Sequence, residues 1–472
     1  MEADVRASFT VAAPTVNWCG IARVTIDMVP DVALLGIFDF YMDENQIEGW
    51  HTLVHVCRKW RIVVFWSPRR LDLRLLCTAR KPAREMLDVW PPLPIVIRSN
   101  SYEKWGLDNI FAALERNDRV CELDLINFPS LETENGLAEM QQPFPELRHL
   151  RLNTSRTIPA SFLGGSAPRL QTLHLCHIPF PSLPDLLLSA THLVHLTLRS
   201  IPHSGYVSPK SMLSCLSVLT RLETFEIGFN NRESRPDQRS QDPSLLTRTL
   251  LPLLNYFRFH GVSEYLEVLV AWIDSPLLDT LIISFDQLMF NTPQLTQFIN
   301  RTPKFKVHDQ ARVVFHPEPD VWVNLPQKFG GRLHLEVACS PSHQLLSLVQ
   351  LCSSSFPPAF ISSVEHLYIV EGVLWAARFR GDIKSRPTRW LELFHFFSAV
   401  KSLYISRYFA PYIARALQEL VGERVTEVLP ALQTLFLEES PLQEAIGQFV
   451  AARQLTVYHW NGLKDVLDET DT

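Results

Sequence analysis

The chain has 472 residues, 46% of them hydrophobic and 20% charged, with a net charge of −6. That length fits two or three domains or one elongated repeat array, and the apolar content excludes disorder as the main state. The acidic balance offers no field for nucleic acid, and no apolar run approaches the roughly 18 residues of a membrane span.

Residues 1–27 open with MEADVRASFT, which lacks the apolar core of a signal peptide. They are expected to be a flexible segment. Pro30 and Asp31 suit a helix start, and Asp31–Phe40 follows as a short apolar helix. Asp43–Glu48 is a polar break. Trp50, Leu53, Val54, Cys57, Trp60 and Val64 then recur at steps of three or four, which is one face of a helix. Residues 28–68 therefore predict a helical module, too small to build an adequate core alone.

From residue 69 to about 460 a different pattern takes over. Arg70–Leu76 alternates like a strand, Pro94–Arg98 is a second strand candidate, and Leu107–Leu114 has a helical spacing. The motif L-x-x-L-x-L, with other apolar residues allowed, begins at Val120, Leu147, Leu170, Leu193, Leu222, Leu254 and Leu278. It returns at Val364, Val400 and Leu432. The first seven starts are 27, 23, 23, 29, 32 and 24 residues apart, close to the period of about 20–29 residues of leucine-rich repeats. The last two apolar positions of each motif lie two apart, on one face of a short strand. Helix-like clusters such as Leu183-Leu186-Leu187 and Leu213-Leu216-Leu219 lie between motifs, with prolines at their edges. No single unit buries its apolar face, so the units stack, with parallel strands inside and helices outside. Around 284–330 the pattern weakens, leaving Val313–Phe315 and Leu333–Leu335 as two candidate strands. Residues 230–244 and 381–389 read as polar loop insertions, and 461–472 as an acidic tail.

Few residues suggest chemistry. The 17 glycines are dispersed, and no phosphate-cradling, zinc-protease or serine-hydrolase motif is present. His51 and His55 are four apart on a helix, but two ligands without further Cys or acidic partners do not make a structural zinc site. His174 and His195 alternate with leucines and face the polar side of a strand. Cys176 and His177 are neighbours on a strand, so they point to opposite faces and make a poor nucleophile pair. The eight cysteines are scattered without paired spacing, which points to reduced, packed thiols in cytoplasm or nucleus. The sequons at Asn153 and Asn300 then read as chance matches. No catalytic residue, metal or cofactor is expected.

The strings PDVALLGIF and LVHVCRKWR resemble an F-box. The longer run WHTLVHVCRKWRIVVFWSPRRLDLRLLC, with DVWPPLPIVIR and NIFAALERNDRVCELDL, resembles the expanded fungal F-box proteins with C-terminal leucine-rich repeats. Val29 and Gly36 depart from that family's pattern, which usually has Leu and Glu there. The resemblance implies an α/β chain with an F-box at 28–68 followed by the leucine-rich solenoid. It also implies a non-catalytic subunit of a Skp–cullin–F-box ubiquitin ligase, acting in ubiquitin-dependent degradation. The F-box would dock a Skp-type adaptor, and through it a cullin, while the repeats present a protein substrate. Carried over by position, Pro30, Leu34, Leu35, Ile37, Phe38, Leu53, Val56 and Trp60 are the adaptor-side residues. Solenoids bind through the concave strand face, which makes Glu122, Asp124, Arg148, Arg151, His174, His195 and Thr197 the substrate-side residues. The alternative is a leucine-rich interaction scaffold whose F-box is vestigial.

Overall fold

The structure is a computed structural model. It describes residues 26–99, 107–126, 137–230, 248–286, 291–306, 308–316, 320–326, 331–372, 387–420, 422–438 and 444–461. The expected N-terminal segment up to 25, the insertion at 231–244, residues 381–386 of the second insertion and the tail from 462 lie outside these residues. The chain divides into two compact units, residues 1–76 and 77–472, where the sequence analysis set the division at 68/69.

The first unit holds three helices, α1 (Asp31–Asn45), α2 (Gly49–Val56) and α3 (Arg58–Trp66). Helix α1 starts where expected, its first turn closed by Ala33 and Leu34 N–H groups on the Pro30 carbonyl at 3.0 and 3.1 Å. It continues five residues past Phe40, through the first half of the expected polar break. The single helix expected over 50–64 is two, because Cys57 adopts an extended conformation (φ −158°, ψ 173°). The Cys57 Sγ accepts from the Trp60 N–H at 3.5 Å and so caps α3. Leu34, Phe38, Trp50, Leu53, Val54 and Val64 are fully or almost fully buried. Phe38 meets Trp60 edge-on at 4.8 Å, and the Trp50 indole donates to the Arg74 carbonyl at 2.9 Å. The expected strand Arg70–Leu76 is strand only at Leu75–Cys77. Residues 68–72 are turns, with Asp72 at φ +45°, and the alternation of leucines there comes from turns that bury Leu71 and Leu73.

The second unit is a solenoid built on one continuous sheet. Eight of its strands run in chain order: β1 (Ile95–Arg98), β2 (Val120–Leu125), β3 (His149–Asn153), β4 (Thr172–Cys176), β5 (His195–Ile201), β6 (Thr224–Phe229), β7 (Tyr256–Gly261) and β8 (Thr280–Phe285). All pair in parallel. The register sets Leu123, Leu150, Leu173, Leu196, Phe225 and Phe257 side by side, all fully buried. A second buried row runs two residues later through Leu125, Leu152, Leu175, Leu198, Ile227 and Phe259. Each such side chain contributes about 1.5–3 kcal/mol by leaving water, and the row exists only when neighbouring units stack.

The segments between strands include α-helices at Leu107–Leu114, Leu183–Ser189, Pro209–Val218 and Ser263–Ala271. Two connections are not helices as expected but single tight turns, at Glu139–Gln141 and Phe162–Gly165. Pro143, Pro145, Gly164 and Gly165 shorten the helix potential there. Gly164 sits at φ +67° against Pro143, where a Cβ would come within 2.8 Å of the ring.

The weak stretch contains a break in the order. After β8 the chain passes through the helix Pro293–Arg301 to β9 (Gln310–Phe315), then β10 (Asp320–Leu325) and β11 (Arg332–Ala338). Strand β11, not β9, lies beside β8. Strand β10 fills the space between β11 and β9 and pairs antiparallel with both. It was missed in the sequence because DVWVNL fits no leucine repeat. Strand β12 (His366–Glu371) then adds to β9, and β13 (Ser402–Ile405), β14 (Thr434–Glu438) and β15 (Thr456–Trp460) follow in parallel order. The helix Gln344–Ser354 leads to β12, and Pro387–Phe394, Ala410–Gln418 and Glu444–Arg453 lead to the last three strands. Residues 387–389, expected in a loop, open the first of these three.

Candidate functional site

The described residues offer two surfaces, one in each unit. In the first unit, α1 buries Leu34 and Phe38, one turn apart, and turns the opposite side outward. Val32, Ala33, Gly36, Ile37 and Phe40 are the exposed positions, one stripe at i, i+4 and i+8 with its neighbours. Phe40 is 68% exposed and Val32 74%. Met28, Val56 and Ile62 are also exposed, and Trp66 at the end of α3 is 83% exposed. These side chains give the three-helix unit an exposed apolar face.

The expected adaptor-side residues divide on this geometry. Pro30, Ile37 and Val56 are exposed, and Leu35 and Trp60 are half-buried. Leu34, Phe38 and Leu53 are 1%, 0% and 3% exposed, so they pack the unit's own interior and are unavailable to a partner. Val32, Phe40 and Trp66 were missed. They are the apolar residues left over once the buried stripe is assigned, which is the trace they leave in the sequence. Lys59 ties the unit's entrance down, donating to the Val29 carbonyl at 2.6 Å and lying 3.5 Å from Asp31.

In the second unit, the strand residues that alternate with the buried leucines form lateral rows. Arg98, Asp124, Arg151, His174, Thr197 and Glu226 occupy one row through β1 to β6. Charges alternate along it and pair across strands. Arg98 holds Glu122 at 2.8 Å, Arg151 reaches Asp124 at 3.3 Å, and Arg199 grips both Glu226 oxygens at 2.7 and 2.8 Å. These arginines are 37–48% exposed, so each pair is worth at most about 1 kcal/mol. Their effect is to set side-chain direction.

Of the expected substrate-side residues, Asp124, Arg151, His174 and Thr197 share this row, and Glu122 and His195 lie two residues earlier along the strands. Arg148 does not belong. It precedes β3 with the opposite alternation to His149 and Arg151, and only its backbone joins the ladder. Burial, reinforced by Arg151 and Arg199, lowers the His174 pKa and favours the neutral imidazole. Burial raises the Cys176 thiol, while His177 sits in a turn at φ +58° and pairs with Asn153 at 3.2 Å. That is the wrong direction for a nucleophile. The seven described cysteines are free, and five of them are buried. Among the described residues no cluster of His, Cys, Asp or Glu is placed to hold a metal.

The same row changes character in the last units. Arg312, Tyr368, Tyr404, Phe436 and Tyr458 continue it across β9 and β12 to β15. Tyr404 stacks on Phe436 at 4.2 Å with planes 8° apart, and Phe436 meets Tyr458 at 5.5 Å. The Arg312 guanidinium covers the Tyr368 ring at 5.8 Å. Trp460 crosses the row edge-on to Tyr404 at 5.5 Å and donates to the Ile405 carbonyl at 3.3 Å. These rings were overlooked because the leucine template treats the residue between its last two apolar positions as free. In the last units that residue is aromatic three times running, Tyr368, Tyr404 and Phe436, and the register sets Tyr458 of the next strand beside Phe436.

No family model matches the chain. No curated protein matches it either. Thirteen chains of solved structures match. One is the leucine-rich repeat-containing protein LegL7 from Legionella pneumophila, 11% identical, with a TM-score of 0.28, covering 80% of this chain and 96% of that one. The repeat architecture rests on the strand register itself: a long, mostly parallel sheet with its motif leucines in line. No helix of the described residues is long and apolar enough to cross a membrane.

Proposed function

We propose that this chain is a non-catalytic interaction scaffold that serves as the substrate receptor of a Skp–cullin–F-box ubiquitin ligase, in cytoplasm or nucleus. The observation that carries the reading is the outward apolar stripe of α1, Val32, Ile37 and Phe40, on the segment that resembles an F-box. A Skp-type adaptor is the partner that would cover it and connect the chain to a cullin. The long row of strand side chains, charged in the first units and aromatic in the last, is the surface offered to a protein substrate. The chain needs no catalytic residue, metal or cofactor for this role.

The test is co-expression of the full chain with a Skp-type adaptor, followed by affinity capture and size-exclusion chromatography. A one-to-one complex is expected, and it should be lost on Ile37→Glu together with Phe40→Ala while the thermal unfolding of the chain is unchanged. A folded monomer that ignores the adaptor would remove the ligase role and leave a leucine-rich scaffold with a vestigial F-box.

A further inference from the structure

On the loop after β13 and the first two turns of the helix Ala410–Gln418, five side chains line a cavity of about 360 Å³: Arg407, Tyr408, Pro411, Tyr412 and Arg415. The spacing makes it. Tyr408 and Tyr412 lie four residues apart, as do Pro411 and Arg415, while Tyr412 and Arg415 lie three apart, and all four share one side of the helix and its lead-in. The opposite side is buried through Ile413, Ala414 and Leu417. Arg407 comes to the same cavity from the strand end.

Two features give this cavity a chemical preference. Neither guanidinium makes an ion pair or hydrogen bond with a described residue, whereas Arg98, Arg199, Arg301 and Arg424 are all engaged. Glu438 accepts from the Arg407 backbone N–H at 3.3 Å, and Glu371 accepts from the Ser406 hydroxyl at 2.5 Å. Two arginines without an ion-pair partner thus line one concavity. The walls supply the second feature. The Tyr408 and Tyr412 rings lie 5.9 Å apart at 43°, with Pro411 between them in sequence, and line the cavity with flat apolar surface. Guanidinium forks match the oxygens of phosphoryl groups, and aromatic walls suit a flat body attached to one. The volume falls in the range of about 300–1,000 Å³ of small-molecule sites and exceeds what a bare phosphate fills.

We propose that the Arg407–Arg415 cavity binds a phosphoryl-bearing small ligand, its oxygens held by the two guanidinium groups and its body placed against Tyr408, Pro411 and Tyr412. No adaptor or ligase context is needed for this site.

Equilibrium binding to the full chain tests it, with adenosine monophosphate, adenosine and inorganic phosphate as probes. Adenosine monophosphate should saturate the chain and bind at least about tenfold tighter than adenosine, and Arg407→Gln and Arg415→Gln should each weaken it by about tenfold or more. Both arginines are exposed, so the variants should unfold at the same temperature as the parent. Inorganic phosphate that saturates the site as tightly as the nucleotide, with the same sensitivity to both variants, would overturn the placement of a ligand body against the aromatic walls. Binding of adenosine equal to that of its monophosphate would overturn the proposal. So would nucleotide binding indifferent to both substitutions, or no saturation by any probe at millimolar concentration.

Discussion

Tyr368 and Tyr404, on adjacent parallel strands, stack at 4.1 Å with ring planes 12° apart. The stack continues on the far side of Tyr404 to Phe436, so this ring is sandwiched. Parallel strands about 4.8 Å apart place equivalent side chains at nearly the separation of stacked rings. A repeat that puts an aromatic residue at one position three times in succession therefore builds its own ladder.

Removal of the middle ring breaks two contacts. Tyr404→Ala should destabilise the second unit by about 2 kcal/mol, and Tyr404→Phe by much less. Chemical denaturation followed by far-ultraviolet circular dichroism measures both. Equal loss in the two variants would assign the effect to the hydroxyl and not to stacking.

The cap at Cys57 gives a second expectation. Sulfur is a weak acceptor, and serine is among the preferred residues at a helix start. Cys57→Ser should preserve or raise stability, while Cys57→Ala should lose about 1 kcal/mol. A neutral alanine variant would show that the 3.5 Å contact to Trp60 contributes nothing.

Gly36 lies on the exposed stripe of α1, and a Cβ built there meets nothing within 4 Å. Gly36→Ala should therefore stabilise the first unit by about 1 kcal/mol, because the backbone entropy of the unfolded chain falls without a clash. An unchanged or lower melting temperature would contradict the open environment.

Acid should weaken the solenoid through His308. The side chain is 1% exposed beside Phe360, and burial pushes its pKa down to about 4 from 6.5. The folded pKa lies below the unfolded one, so the unfolded chain binds the proton more readily. Stability is whole above pH 6.5 and declines as the pH falls toward 4, by roughly 3 kcal/mol in full. His308→Leu should flatten that part of the pH profile, measured as the denaturation midpoint from pH 7 to 4. A profile equally steep in the variant would place the acid sensitivity elsewhere, with His334, also lowered to about 4 by burial, the next to replace.

Much of the solenoid was legible because its grammar is periodic. Leu150, Leu173 and Leu196 announce both strand and register, and each stands beside the next in the sheet. Strand β10 was not legible, because an antiparallel strand between two parallel ones obeys its neighbours and not the repeat. In the first unit the helices could be read from Trp50, Leu53 and Val54. The break at Cys57 was not visible, since cysteine fits both the apolar stripe and a cap. The candidate surfaces were half legible. Ile37 and Leu34 both match the F-box pattern, and only the fold shows which of them faces out. Arg407 and Arg415 carried no trace at all, because an unpaired arginine is defined by what surrounds it in space.

The detour through β9, β10 and β11 bears on how the chain folds. In a simple solenoid each unit docks on the one before it, and growth can pause after any repeat. Here the ladder beyond β8 cannot advance until Arg332–Ala338 arrives, because that segment takes the edge of β8 that β7 leaves open. Strand β9, made earlier, must wait for β10 to bridge it to β11. Strands β9, β10 and β11 therefore depend on one another, and closing the chain around them costs loop entropy that the serial strands on either side do not meet. A chain shortened to end among those three strands would leave β8 with a bare edge, the form in which a sheet recruits neighbours and aggregates.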